Sequence, residues 1–361
     1  MRQEENMAEI ITLGELLIDL TQRGTDENGN GEFTAFPGGA PANVAVAASR
    51  LGASTGFIGK VGDDAFGRSL AGTLKKDNVD ISGLYYDDYQ PTTMAIVSVD
   101  EKGERDFSFY RKPGADTQLT VEESIGALSA GMPKILHVGS LSLTTSPGDE
   151  ACVAAIRYAK KSGALISYDP NYRDALWDSE ERAIEMMKSL LQYTDILKVS
   201  DEEMVMLTGC EDFAGGSSIL AGYGISLVMV TMGGDGVFVR RGDYAEHVPG
   251  FSVKVADTNG AGDTFAGAML AQIVRRDGLI EGLTGEELRD FVTYANKAAS
   301  ITCSRHGAIP AMPADCAHAR PDRVLRLHRV LPAARGGPDR DRKSTRLNSS
   351  HTTVSRMPSS A

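Results

Sequence analysis

The chain has 361 residues, of which 42% are hydrophobic and 24% charged, with a formal net charge of −12. That composition suits a globular α/β protein of one large or two smaller domains with ample core. The acidic balance argues against nucleic acid or an anionic membrane surface as partner.

In chain order, MRQEENMAE (residues 1–9) is polar, and the following apolar IITL (10–13) is too short for the core of a secretion signal. EIITLGELLIDL (9–20) reads as one buried strand, and EFTAFP (32–37) as a short exposed one. PGGAP (37–41) is a turn that leads into a small-residue helix over 43–51, which Gly52 ends. A strand follows at 54–61 and a helix at 64–78. Residues 92–100 and 105–111 form a hairpin joined by DEKG (100–103). Strands at 134–139, 164–169, 195–200 and 226–231 then alternate with helices at 150–162 and 179–191 and a short acidic helix after 200. Residues 237–241 and 247–255 are extended, and helices cover 264–276 and 286–304. This alternation predicts a mostly parallel sheet covered by helices on both faces. The strands at 32–37 and 92–111 break the rhythm and predict a small accessory sheet.

From Pro313 onward the composition changes. Ten Lys and Arg stand against four Asp there, so residues 1–312 carry −18, and the segment has no aromatic residue. A disordered, non-native tail over 313–361 is expected, with a single domain over 9–312. The four cysteines, Cys152, Cys210, Cys303 and Cys316, show no CxxC spacing. That argues against a zinc site or disulfide framework and predicts a cytoplasmic protein.

The densest chemical signal is DTNGAGDTFAGAML (257–270). Gly260, Ala261 and Gly262 lead into a helix, so unpaired backbone N–H groups and the helix dipole offer an anion site. Asp263 at that junction reads as an ordinary first-turn acid. It reads equally as a base that takes the proton from a hydroxyl attacking a phosphoryl group held by those amides. No GxxxxGK[ST] occurs, and GAGDTF carries Phe265 where a dinucleotide fingerprint needs its third glycine.

DTNGAGD (257–263) and PGGAPAN (37–43) resemble the two signatures of the PfkB-type, ribokinase-like carbohydrate kinases, over about residues 9–312. GELLID (14–19), FIGKVGD (57–63), FYR (109–111), YDPNYR (168–173) and LKVSDEE (197–203) resemble the fructokinase branch. The resemblance implies a three-layer α/β/α sandwich with a small β-sheet lid. It also implies transfer of the ATP γ-phosphoryl group to the 6-hydroxyl of D-fructose. By it, Asp263 is the base and the Gly260–Asp263 amides form the anion hole. The sugar lies against Asp19, Gly38, Gly39 and Asn43, with Arg111 on the lid and Arg173 in the YDPNYR segment. Lys198, Ser200, Glu203, Thr231, Gly233, Gly236 and Asn296 serve the nucleotide. Mg²⁺ is organised by Glu203 through water, although Ser200 stands where the family motif has Asn. Asp257, Asn259 and the 302–307 segment fall at a K⁺ loop, and the lid strands imply a homodimer. The rivals are a 2-keto-3-deoxygluconate kinase or ribokinase of the same family, a non-catalytic sugar-binding protein, and a pyridine-nucleotide dehydrogenase.

Overall fold

The computed structural model describes residues 8–99, 105–276, 280 and 282–313, apart from the side chains of 97–99 and 105–107. The expected turn at 100–103 and the expected tail beyond Pro313 lie outside the described residues.

Thirteen strands form two sheets among the described residues. They are β1 (Ile10–Leu13), β2 (Leu17–Thr25), β3 (Gly31–Gly38), β4 (Thr55–Gly62), β5 (Val79–Asp87), β6 (Met94–Val99), β7 (Arg105–Tyr110), β8 (Ile135–Gly139), β9 (Leu165–Asp169), β10 (Ile196–Ser200), β11 (Leu227–Thr231), β12 (Val237–Arg241) and β13 (Tyr244–Val248). The helices are α1 (Ala40–Arg50), α2 (Ala65–Lys76), α3 (Val121–Ala130), α4 (Gly148–Lys161), α5 (Glu180–Leu191), α6 (Asp201–Thr208), α7 (Phe213–Ala221), α8 (Ala261–Val274) and α9 (Gly285–Cys303). The large sheet runs β13-β12-β11-β10-β9-β8-β1-β4-β5, parallel from β11 to β5 and antiparallel at β12 and β13. The small sheet runs β3-β2-β6-β7.

Strand side chains alternate between two helical layers, as the two-residue period requires. Leu13, Leu136, Val138, Leu197 and Val199 pack with Leu128, Ala155, Met187, Leu207 and Leu220 of α3–α7. Ile10, Ile135, Ile196, Leu227 and Met229 pack with Val44 of α1 and with α8 and α9. Leu70 and Leu74 of α2 join α1 in a third cluster around Phe57 and Val61. The three-layer arrangement with its accessory sheet is the architecture expected.

One expected element divides. EIITLGELLIDL is two strands in two sheets, not one. β1 pairs with β4 and β8 in the large sheet, and β2 pairs with β3 and β6 in the small one. The break falls at Gly14, whose φ of 153° no β-carbon residue adopts readily and whose Cβ would strike Pro41 of α1. Three elements are additional to the sequence reading: β5, α3 and α7. α8 also begins at Ala261 rather than Thr264, which puts Asp263 in its first turn.

The segment after α9 packs on β3 of the small sheet and is held from α1. Arg50 pairs with Asp77 through Nε at 2.7 Å, and its Nη1 donates to the carbonyls of Ile309 at 2.7 Å and Met312 at 3.1 Å. Arg50→Met leaves a half-buried carboxylate and two carbonyls without their donor. It is expected to lower the unfolding free energy by about 3 kcal/mol in urea titration. A loss below about 0.5 kcal/mol, the level of a surface substitution, would contradict this anchoring role.

Candidate active site

A cavity of about 430 Å³ opens where β1, β9 and β10 end, the edge at which open α/β sheets bind ligands. Two turns form its near wall, and they interlock. Gly14, Glu15 and Leu16 connect β1 to β2; Gly39 connects Gly38, the last residue of β3, to α1. A Cβ on Gly38 would collide with the Asp19 carboxylate, and one on Gly39 (φ 106°) with the carbonyl of Glu15. Gly39 caps α1 without a side chain. The Glu15 carboxylate supplies the missing acceptor, taking the Ala40 N–H at 2.9 Å.

The far wall is the start of α8. Gly260 is its N-cap in the left-handed region (φ 73°), and a Cβ there would press on Ala308. Helix geometry leaves the N–H groups of Gly262 and Asp263 without intrahelical acceptors. The Ala261 N–H donates instead to the carbonyl of Thr258 at 3.3 Å. The Lys198 ammonium lies against the bare face of Gly262, 3.2 Å from where a Cβ would stand, and Asp169 holds it at 2.6 Å. Asp263 is buried, and its Oδ2 accepts from Asn43 Nδ2 at 2.8 Å.

Burial raises three carboxyls that line the cavity, Asp263, Asp19 and Glu15. Burial pushes Asp263 up to about 6 and Asp169 adds to it, while the Asn43 hydrogen bond, Lys198 and Arg173 oppose. Burial pushes Asp19 up to about 7 against Arg173, with Asp263 and Asp257 adding to the rise. Burial raises Glu15 to about 7 as well. Burial alone would lower the Lys198 ammonium, but Asp169 and Glu203 hold it above the ordinary lysine range.

The structure thus brings Asp19, Gly39, Asn43, Arg173, Lys198, Asn259, Gly260, Gly262 and Asp263 to one cavity. Gly38 and Ala261 do not line it, although each adjoins a lining residue in the chain. Beside it, Ser200 and Thr231 are paired in register at the ends of β10 and β11. Glu203 accepts from the amides of Tyr172 at 2.7 Å and Ser200 at 2.8 Å, and burial raises its carboxyl. Gly233 and Gly236 form a tight turn packed on 248–250, and Asn296 of α9 donates to the Pro249 carbonyl at 3.2 Å. Asp257 accepts from the amides of Asn259 and Gly307, both at 3.0 Å, which joins the 257–259 loop to the segment after α9.

Arg111 departs from the expectation of a lid residue over the sugar. Its guanidinium turns inward, to Asp116 at 2.7 Å, Thr144 at 2.8 Å and the Leu141 carbonyl at 2.8 Å. It does not line the cavity; Phe109, Ala95 and Leu17 supply the lid side instead. Two residues inside the quoted motifs were given no role by sequence reasoning, Glu15 and Asp169. Each is buried and keeps one oxygen without a hydrogen-bond partner, Glu15 Oε2 and Asp169 Oδ1. A carboxylate within an otherwise apolar or glycine-rich run was the available signal.

Residues 7–315 match the pfkB family carbohydrate kinase model. The chain is 41% identical over 315 residues to a probable fructokinase-2 of Arabidopsis thaliana, covering 86% of this chain and 95% of that one. A crystal structure of fructokinase with bound ATP from Xylella fastidiosa superposes with a TM-score of 0.78 at 32% identity, covering 85% and 96% of the two chains. A double-mutant fructokinase of Vibrio cholerae O395, with fructose, ADP and potassium ion bound, superposes with a TM-score of 0.74 at 32% identity, covering 86% and 97%. The family match over residues 7–315, with relatives near 41% identity across most of the chain, shows that this chain belongs to the pfkB family of carbohydrate kinases.

Proposed function

We propose that the protein is an ATP-dependent fructokinase that phosphorylates the 6-hydroxyl of D-fructose. The observation that carries this reading is the buried Asp263 at the start of α8, with the Gly262 and Asp263 amides and the Lys198 ammonium beside it. The fructokinase relatives supply the sugar.

Asp19, Gly38, Gly39 and Asn43 hold the sugar, with Arg173 at the cavity mouth. Asp263 accepts the hydroxyl proton as oxygen attacks the γ-phosphorus. The bond to the β-γ bridging oxygen breaks, and ADP leaves with that electron pair. The α8 amides and Lys198 hold the equatorial oxygens, so positioning and preorganised charge supply most of the rate. Leu17, Ala95 and Phe109 exclude water, which would compete with the sugar. Ser200, Thr231, Gly233, Gly236 and Asn296 line the nucleotide's path.

No group of three His, Cys, Asp or Glu side chains that could hold a metal ion occurs among the described residues. Both Glu203 oxygens already accept amide hydrogens. A Mg²⁺ ion fits there through water, held otherwise by the nucleotide. When bound, it neutralises charge on the phosphates. Asp257 and Asn259, with the 302–307 segment, are the residues for K⁺. The buried Asp257 carboxylate joins the two segments by accepting the Asn259 and Gly307 amides, and a carboxylate oxygen is a donor that a hard cation takes.

A homodimer through the lid belongs to the same reading. β3 and β7 are the open edges of the small sheet, and Phe33 and Tyr110 on them are exposed. Light scattering on the full chain should give twice the monomer mass. Cytoplasmic residence fits the free thiols of Cys152, Cys210 and Cys303.

The experiment is ATP-dependent phosphorylation of fructose, 2-keto-3-deoxygluconate, ribose and adenosine by the full chain. Preferential turnover of fructose supports the assignment, and preference for another sugar replaces the substrate. Sugar binding without turnover moves the chain to the binding-protein class. The acid limb of kcat/KM is expected between about pH 6 and 7, where Asp263 and Asp19 ionise. Activity falls as pH drops through that window, because the proton-accepting form of Asp263 is lost. A profile flat down to pH 5 would exclude Asp263 as the titrating base.

A further inference from the structure

Asp263 lies among charges that pull in opposite directions. Asp169 at the end of β9 opposes its ionisation, while Lys198 on β10 and Arg173 after β9 favour it, and Asp263 in turn helps to keep Asp19 on β2 protonated. Among the described residues, one side chain donates a hydrogen bond to it: Asn43, from the first turn of α1. Asn43 is itself 5% exposed, and its Oδ1 has no partner.

The contact between helices explains why that amide arrives where it does. α1 and α8 pack against each other, and at Gly267 they approach too closely to leave room for a side chain. A Cβ there would fall 2.7 Å from Ala47 Cβ and 2.9 Å from the Val44 carbonyl oxygen. Gly267 stands four residues after Asp263, and Ala47 four residues after Asn43. On an α-helix that is one turn along the same face. The Asn43–Asp263 contact and the Ala47–Gly267 contact are therefore consecutive rungs of one helix pair. The lower rung fixes the distance across which the upper one must hydrogen-bond. The α1 end of that rung is held in turn by Glu15 on the Ala40 amide.

We propose that the α1–α8 contact sets the catalytic base. Asn43 is a positioning residue that fixes Asp263 Oδ2 and leaves Oδ1 to take the sugar proton, and Gly267 sets the helix spacing that makes this possible. The inference rests on the kinase reading for its consequence and on the helix geometry for its substance. It gives Asn43 a task separate from any contact with sugar. A hydrogen bond to the ionised carboxylate lowers the base's pKa and fixes its orientation. Gly267 never meets the substrate, yet it controls the same property.

The test compares the full chain with Asn43→Ala and Gly267→Ala. Loss of a hydrogen bond to a charged group should move the acid limb of kcat, at saturating fructose, up by ~1–2 pH units in Asn43→Ala. Gly267→Ala should move it in the same direction, with fructose KM within about threefold of the parent, since its site contacts are intact. A raised KM with an unmoved limb in Asn43→Ala would make Asn43 a sugar ligand alone and overturn the proposal. An unmoved limb in folded Gly267→Ala would remove the spacing role. A carboxyl ¹³C NMR titration without substrate, with Asp263 assigned by its absence in Asp263→Asn, reads the same pKa without turnover. If the parent chain does not phosphorylate fructose, the proposed function fails while this titration still decides the positioning role. If Gly267→Ala does not fold, the Asn43→Ala titration decides it: a carboxyl that titrates as in the parent overturns the proposal.

Discussion

Asp263→Asn is expected to lower kcat for fructose phosphorylation by about 10²- to 10⁴-fold, the range that a positioned general base contributes. Sugar affinity should change little, because the amide keeps the shape and still reaches Asn43. The stability effect has a definite sign. Asp263 binds its proton more tightly when folded than when unfolded, so ionisation costs stability as pH rises from near 4 through about 6. Asp263→Asn should therefore melt at the same or a higher temperature than the parent at pH 8, and the difference should vanish at pH 4. Unfolding would lower both rate and melting temperature, and loss of the base only the rate. A kcat within tenfold of the parent would exclude Asp263 as the base.

The second large effect is expected at Lys198. Its ammonium is the partner of Asp169, whose side chain is only 3% exposed, and it is also the cation at Gly262. Lys198→Met leaves Asp169 buried without its counter-charge, a loss of about 3–5 kcal/mol in urea titration. It also removes a preorganised charge from the transferring phosphoryl group, which should cost kcat about 10²- to 10³-fold. The double variant Asp169→Asn with Lys198→Met separates the two. Stability should largely return, because no lone charge remains buried, and kcat should not. Recovery of kcat alongside stability would mean that Lys198 acts only as a structural ion partner.

The parallel strands of the large sheet were legible because each is a short apolar run between turn residues, as at 135–139 and 227–231. The cavity residues were legible as motifs: Asp19, Gly39 and Asn43 from the start of the chain, Asp263 and its glycines from the end. What failed was local. Residues 9–20 are apolar throughout, and continuous apolarity fits a strand buried in either sheet. Only Gly14 marked the break, and one reason it must lack a Cβ is Pro41, 27 residues on. α3 carries a complete capping box, Thr120 with Glu123, and this signal could have found it. Its short run of Gly, Ala and Ser blurs the helical period. Arg111 follows an aromatic strand and so reads as a lid tip. Its three inward partners, Asp116, Thr144 and Leu141, are set by tertiary packing that local sequence does not express. Asp169 lies in YDPNYR, where Arg173 alone was assigned a role, and its task became visible only when Lys198 arrived from the next strand.

The Asn43–Asp263 hydrogen bond spans 220 residues of sequence, and the Arg50–Ile309 bond spans 259. On the ribosome, where synthesis proceeds at roughly 5–20 residues per second, about 10–40 s separate the emergence of the two halves of the site. Throughout that interval the first turn of α1, with its bare glycines and small side chains, waits without the helix that covers it. The nascent chain therefore has no sugar-phosphorylating centre until α8 is made, and no anchor for Arg50 until Ile309 follows. A fold closed by such distant contacts forms slowly, so this interval is when a holding chaperone matters most to the yield of active protein.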